Sequence, residues 1–174
     1  MSKSGDSTSL RRLFAKKSRS MSAMGFIANY NVAVKYSQQP NDLPSDVLGG
    51  ATLRGNEYGW SVASFPVALE RAETHGYACL GGQFQFRLED GATCEMYWLS
   101  ADSKERLSGE SWSDYSRRSC FEVKGNFQRL ISQTDFRKEA LGWNLPHTFT
   151  GSLVFVAYFV TESALAELEI FKLT

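Results

Sequence analysis

Cysteine, histidine and proline are scarce in this chain of 174 residues. The three cysteines, Cys79, Cys94 and Cys120, are an odd number at wide spacing, which favours buried thiols in a reducing compartment over a disulfide framework. The two histidines, His75 and His147, stand in no metal-ligand spacing, and no C-x-x-C pair occurs. We therefore predict no metal site and no cofactor.

Long apolar runs and catalytic motifs are also missing. No run of about 18 apolar residues occurs, so no bilayer-spanning helix is predicted. The glycine pairs at 49–50 and 81–82 lack the context of a phosphate-binding or dinucleotide-binding loop. A Cys–His nucleophile pair stays open, because such partners meet only in space. We expect a protein that is not an enzyme, with no catalytic residues and no small-molecule substrate.

The strongest feature that is present is a division of charge. Residues 1–24 carry six cationic side chains against the single acid Asp6, a net charge of +5, while residues 25–174 carry a net charge of −5. This asymmetry is typical of a basic arm that meets phosphate groups, joined to a body that folds on its own. We predict a flexible arm over 1–24 and a globular domain over 25–174.

The arm contains a short amphipathic segment over residues 9–19. Leu10, Leu13 and Phe14 share one face of a helix drawn through it, and basic residues surround that face. Such a helix inserts its apolar face into an anionic membrane while lysine and arginine meet the head groups. A solvated tail and a mitochondrial presequence are the alternatives. The predicted membrane- or nucleic-acid-binding residues are Lys3, Leu10, Arg11, Arg12, Leu13, Phe14, Lys16, Lys17 and Arg19.

The body has the pattern of an α+β fold. Its aromatic content favours strands, and period-two alternation predicts a strand over 26–36. Residues 49–60 hold four glycines and are predicted to be a loop or a ragged strand. Asp90-Gly91 predicts a hairpin over 83–99, and residues 152–160 predict a central strand covered on both sides. The predicted fold is one compact domain with a mainly antiparallel sheet, a few flanking helices and the basic arm.

Capping residues delimit the predicted helices. Ser64 and Pro66 begin one that ends before Gly76, and Ser111 with Asp114 begins another over 111–133. Two shorter helices are expected, one after Thr134 or Asp135 and one over 162–169. Aromatic residues of the hairpin are able to stack bases; they are Phe84, Phe86, Tyr97 and Trp98. Core packing is the favoured role, because Phe84 and Phe86 follow the alternation of a buried face. Nearby acids are predicted to solvate the turn; they are Glu89, Asp90, Glu95 and Asp102.

Two short segments resemble a known family. The run Ser9-Leu10-Arg11-Arg12-Leu13-Phe14, followed by Lys16-Lys17-Ser18, is similar to the start of animal rhabdovirus matrix proteins. Phe149-Thr150-Gly151-Ser152-Leu153 resembles the aromatic-x-Gly-x-apolar entry to a strand of that family. The match covers short pieces of the chain, leaves 60–145 unaligned and lacks the family's proline-rich late motif, so recruitment of host budding machinery is not implied.

The resemblance implies a structural protein that self-associates, binds anionic membrane and contacts nucleocapsid or RNA during assembly and budding. Its place would be the virion and the host cytoplasm or the inner face of a host membrane. A matrix layer needs a repeated contact between copies. We assign that contact to the predicted loop 37–61, with the self-association residues Leu43, Pro44, Leu48 and Trp60.

Two other classes fit the same sequence. The acidic body suits a cytosolic binding module, such as a bacterial immunity protein that blocks the active site of a toxin. The basic arm suits an RNA-binding protein with non-specific affinity. A stable 1:1 complex with a basic protein would favour the binding module, whereas filaments or sheets would favour the matrix protein.

Overall fold

The structure is a computed structural model that describes residues 43–145 and 152–172. All of these residues belong to one compact unit. The basic arm, the boundary at residue 25, the predicted strand 26–36 and His147 lie outside the described residues. The described part of the chain has the predicted α+β fold, with helices packed on an antiparallel sheet.

Nine elements follow one another in the described part of the chain. The strands are β1 (Ala51–Arg54), β2 (Glu57–Ser61), β3 (Ala78–Arg87), β4 (Thr93–Asp102) and β5 (Ser152–Val160). The helices are α1 (Phe65–Thr74), α2 (Trp112–Gln133), α3 (Phe136–Gly142) and α4 (Glu162–Lys172). The strands form one sheet in the order β1-β2-β5-β3-β4, and every neighbouring pair is antiparallel.

The prediction that residues 152–160 form a central strand is confirmed. β5 lies between β2 and β3, and its residues Val154–Ala157 are buried on both faces of the sheet. Strands of this kind are apolar without alternation because helices or other side chains cover each face. Within the described residues, β1 and β4 are the two edges of the sheet.

The main core lies between the sheet and helices α1 and α2. Its centre is a group of mutually packed rings with centroid distances of 4.5–5.4 Å: Phe65 of α1, Phe84 of β3, Phe127 of α2 and Phe155 of β5. All four are at most 1% exposed. Aromatic pairs at these distances add about 0.5–1.5 kcal/mol each beyond the apolar area that they bury.

Of the two alternatives predicted for 49–60, the loop is wrong, and the strand is present as two short strands. Residues 51–61 form the hairpin β1–β2, whose turn uses Gly55 at φ +58°. The four glycines obscured a period-two pattern in which Tyr58 and Trp60 face the core. Pairing of β2 with β5, nearly a hundred residues later in the chain, orders this segment, and no local pattern reveals such a partner.

Most helix boundaries agree with the prediction. Pro66 lies in the first turn of α1, and Gly76 follows its end at φ +75°. The Ser111 side chain accepts a hydrogen bond from the amide of Asp114 and so caps α2. Asp135 caps α3 by accepting from two backbone amides. The last helix, α4, extends to Lys172.

The predicted hairpin over 83–99 is confirmed and is longer than predicted. β3 and β4 pair from Gly81–Asp102 to Arg87–Thr93. The register shifts between Gln83, which pairs with Ser100, and Phe84, which pairs with Met96, so that β4 bulges over residues 97–99. Such a bulge turns side chains to a different face. Here it leaves Trp98 43% exposed.

Candidate interaction surfaces

The predicted self-association residues lie against the protein's own core. Trp60 is fully buried, and its indole N–H donates a hydrogen bond of 2.9 Å to the carbonyl oxygen of Val47. Leu43 and Leu48 are partly buried and pack on the same core, and the Pro44 carbonyl accepts from the amides of the turn that follows it. Trp60 therefore offers no surface to a second copy, and it lies in strand β2 and not in the predicted loop 37–61.

An ion pair holds the turn before β1 to the end of α1. The Asp46 carboxylate lies 3.0 Å from Nε2 of His75 and 3.4 Å from Nη1 of Arg71. The hydrogen bond with His75 lowers the pKa of Asp46 below its usual value, with a smaller contribution from Arg71. His75 follows the last residue of α1, and its imidazole has this carboxylate as a partner.

A polar network covers the face of the sheet opposite the main core. Its centre is Arg87 of β3, which is 3% exposed and donates to Gln85 of the same strand at 2.8 Å. The guanidinium also donates to the carbonyl and hydroxyl oxygens of Thr52 and to the carbonyl oxygen of Glu57. One side chain thus joins β3 to β1 and β2. Burial lowers the pKa of Arg87, and the charge of Arg54 adds to that shift.

A second chain of hydrogen bonds crosses the same face. Tyr158 of β5 donates to the carboxylate of Glu57 at 3.0 Å and accepts from the amide of Gln83 at 3.3 Å. Burial raises the pKa of Tyr158, so its hydroxyl stays protonated. Glu95 of β4 is half-buried, and its pKa is raised by burial and by the charge of Glu57.

The acidic residues of the hairpin divide between two environments. Glu89 and Asp90 are exposed at the turn, where the Asp90 carboxylate accepts from the amide of Ala92 at 2.9 Å. Their prediction as turn residues is confirmed. Glu95 and Asp102 lie within β4 and not at the turn, and burial raises the pKa of both carboxyl groups.

An ion network fixes the loop between β4 and α2. Arg118 donates to both carboxylate oxygens of Glu110 at 2.7 and 2.8 Å and to Glu122 at 3.1 Å. Arg106 donates to the carboxylate of Glu162 at 2.9 Å, which connects the loop to α4. The hydrogen bonds from Arg118 lower the pKa of Glu110 from 4.5 to about 2. The loop is therefore tied to both α2 and α4.

Trp98 and Trp143 form a stacked pair beside α3. Their ring centroids are 6.2 Å apart, and the indole N–H of Trp98 donates to the Glu139 carboxylate at 3.1 Å. Phe84 and Phe86 lie in the core as predicted, whereas Trp98 does not. The predicted alternation was that of Phe84 and Phe86, whereas Trp98 lies in the part of β4 where the register shifts.

The outer face of α2 carries the most exposed large apolar side chain that the described residues contain. Phe121 is 76% exposed, and Gly125 one turn later is also exposed, with no atom within 4 Å of the position a Cβ would take. The buried side chains Cys120, Val123 and Phe127 recur at helical spacing along α2. Phe121 falls outside this repeat and therefore lies on the exposed side of the helix.

The chemistry of the described residues is limited. No cluster of three or more histidine, cysteine or acidic side chains suited to a metal ion occurs within 43–145 and 152–172. None of the helices over these ranges is both long and apolar enough for a bilayer crossing. Burial raises the pKa of the Cys79 and Cys120 thiols, the latter to about 11, so neither carries an activated thiolate.

Comparison of the chain with protein-family models, with curated proteins and with solved structures finds no match.

Proposed function

We propose that this protein is a non-enzymatic viral matrix protein. In this proposal the basic arm binds the anionic inner face of a host membrane and contacts nucleocapsid or RNA, while the body associates with further copies to form a layer. The protein would act in the host cytoplasm, at that membrane and in the virion. The resemblance of the arm to the start of rhabdovirus matrix proteins supports this class.

The observation that carries the proposal is the division of charge between arm and body. Six cationic side chains lie within residues 1–24, and the body has a net charge of −5. Each lysine or arginine near an anionic surface contributes about 1 kcal/mol. The acidic body is repelled by the same surface, so the charge division orients the protein with its arm toward the lipid.

Hydrogen bonds between elements of the body support the structural part of the proposal. Arg87 joins β3 to β1 and β2, and Arg118 joins α2 to Glu110 in the loop before it, so the fold presents defined surfaces. A layer built from copies in one geometry requires such surfaces. The exposed Phe121 is the kind of apolar anchor that contacts between proteins use.

Charge reversal at matched positions tests the membrane contact. The arm variant carries Arg11→Glu, Arg12→Glu and Lys16→Glu. The control carries three charge reversals at exposed positions of the body, Lys104→Glu, Arg137→Glu and Lys138→Glu, which change the net charge by the same amount. Both are compared with the full-length wild type in sedimentation with vesicles that contain phosphatidylserine.

We expect the arm variant to lose at least tenfold in vesicle affinity at 0.15 M salt and the body variant to lose less than twofold. Binding by the wild type should weaken steeply as salt rises, because the contacts are exposed charges. Equal loss in the two variants would show a general effect of net charge and would contradict the proposed role of the arm. Added RNA should compete with the vesicles if the arm serves both partners.

A further inference from the structure

Strand β1 is an edge of the described sheet, and its residue Leu53 has a side chain that is 52% exposed. Arg54 and Glu57 pair across a two-residue turn, so they form the first hydrogen-bonded pair of the hairpin. Hydrogen-bonded and non-hydrogen-bonded pairs alternate along an antiparallel ladder, which puts Leu53 in a non-hydrogen-bonded pair. The N–H and C=O of Leu53 therefore point away from β2.

The contacts of Arg87 agree with this orientation of the backbone. Its guanidinium lies on the face of the sheet opposite the main core and donates to the carbonyl oxygens of Thr52 and Glu57. In this register both oxygens lie between β1 and β2, on either side of the pair formed by Leu53 and Tyr58. The outer side of β1 thus presents a backbone donor, a backbone acceptor and an apolar side chain at one residue.

The other edge strand has protective features that β1 lacks. β4 contains a bulge, and the carbonyl oxygen of Asp102 at its end accepts a hydrogen bond of 2.8 Å from the side-chain amide of Asn126. Bulges, prolines and outward-pointing lysines keep edge strands from pairing with other chains. β1 has none of these, and its one cation, Arg54, donates to the carbonyl oxygens of Leu88 and Ala92 in its own fold.

We propose that β1 pairs antiparallel with β1 of a second copy of this protein. A twofold axis at Leu53 places the two Leu53 residues directly opposite each other, and each donates its N–H to the carbonyl oxygen of the other. Their side chains then contact each other on the face that carries the main core. The inference rests on the self-association proposed above, and β1 lies within the segment 37–61 to which the sequence assigned that contact.

No like charges stand opposite each other in this register. Thr52 lies opposite Arg54 of the second copy, and Ala51 lies opposite its Gly55. The two Arg54 residues are two positions apart along the edge, about 7 Å. Each guanidinium is already held by carbonyl oxygens of its own copy. The edge is therefore complementary to itself in shape, hydrogen bonding and charge.

The contact is small, so its strength depends on local concentration. Four residues from each copy bury less than the roughly 800 Å² per partner of a stable interface. Copies that are held on one membrane by their arms meet at a high effective concentration, at which a weak contact forms. The paired copies are then the repeating unit of the layer.

Charge substitutions at position 53 test whether this residue lies opposite itself. Leu53→Glu and Leu53→Lys each place like charges at the axis and should lower the pairing constant at least tenfold. An equimolar mixture of the two variants places opposite charges there and should restore pairing to within threefold of the wild type. Energy transfer between differently labelled full-length copies measures pairing, on phosphatidylserine vesicles and in concentrated solution.

The matched controls are Val67→Glu and Val67→Lys on α1. The Val67 side chain is 50% exposed, close to the value for Leu53. These variants carry the same changes of net charge and should change pairing less than twofold, alone or mixed.

Cysteine cross-linking tests the register independently. Residues of a hydrogen-bonded antiparallel pair have Cα atoms about 5.5 Å apart, which is within the range of a disulfide. Oxidation should therefore cross-link full-length Leu53→Cys at least tenfold faster than Val67→Cys. The native cysteines are at most 7% exposed and contribute little background.

The outcomes separate this inference from the proposed function. Loss of pairing in both Leu53 charge variants, with recovery in their mixture, supports the β1 contact. Wild-type pairing in Leu53→Glu, loss without recovery in the mixture, or no preference for the Leu53→Cys disulfide overturns the β1 contact and leaves the matrix proposal in place. A wild type that does not bind the vesicles contradicts the matrix proposal, and the measurements in concentrated solution still decide the β1 contact.

Discussion

The indole N–H of Trp60 donates a hydrogen bond of 2.9 Å to the carbonyl oxygen of Val47, and both side chains are fully buried. This bond joins the turn that precedes the sheet to strand β2. Trp60 therefore holds the turn around Val47 against strand β2. Because its side chain is buried, we expect Trp60 to affect self-association only through the stability of the fold.

Trp60→Phe should destabilise the full-length protein by about 1–3 kcal/mol, because the carbonyl of Val47 loses a buried partner and the smaller ring leaves a void. Urea unfolding followed by circular dichroism measures this change. Trp98→Phe, at a ring that is 43% exposed, is the matched control and should cost less than about 1 kcal/mol. Unchanged stability in Trp60→Phe with loss of self-association would restore Trp60 as a docking residue.

Arg87→Lys should cost about 2–4 kcal/mol of unfolding free energy. A lysine keeps the charge but cannot reach Gln85, Thr52 and Glu57 at once, so buried oxygens lose their donors. The same substitution at exposed Arg137 should change stability by less than about 0.5 kcal/mol. Equal stability of the two variants would show that the hydrogen bonds of the Arg87 guanidinium group are not needed for the stability of the fold.

Glu110→Gln should lower the unfolding temperature at pH 7. The folded state holds the pKa of Glu110 at about 2, below the ordinary value of 4.5, so its contribution is complete above pH 4.5 and is lost as the pH falls toward 2. The difference between wild type and Glu110→Gln should therefore shrink over that range. Calorimetry at pH 7, 4 and 2.5 measures it, with the exposed Glu167→Gln as the charge control. A difference that does not depend on pH would contradict this origin.

Glu95→Gln should change the unfolding temperature at pH 7 in the opposite direction to Glu110→Gln. Burial raises the pKa of Glu95 in the folded state above the ordinary value of 4.5. As the pH rises above 4.5, Glu95 therefore ionises more readily in the unfolded chain than in the folded one. The folded state loses stability relative to the unfolded state at neutral pH. The variant should therefore unfold at a higher temperature than the wild type at pH 7 and at an equal temperature at pH 4. A variant less stable than the wild type at pH 7 would show that the carboxylate is stabilised by a partner.

Sequence patterns predicted those helices and turns that are determined by residues close together in the chain. The caps at Ser111 and Asp135 and the Asp90-Gly91 turn fix their elements within a few residues, and the structure has them as predicted. The β1–β2 hairpin was missed because its order comes from pairing with β5, which is distant in sequence.

The surfaces were harder to predict than the elements. Trp60 has the residue type of a binding anchor, but only the fold shows that it is buried. Trp98 lies in the part of β4 where the register shifts, and the alternation of Phe84 and Phe86 does not extend to it. Phe121 could have been found, because it falls outside the buried repeat of α2.

The most direct test of the matrix proposal is cryo-electron microscopy of the full-length protein on phosphatidylserine vesicles at low and physiological salt. The account predicts an ordered protein layer on the lipid with the wild type. It predicts no layer with the arm variant Arg11→Glu, Arg12→Glu, Lys16→Glu. Monomers that do not bind the vesicles at either salt concentration would contradict the account. That result would favour a body that binds a basic protein partner.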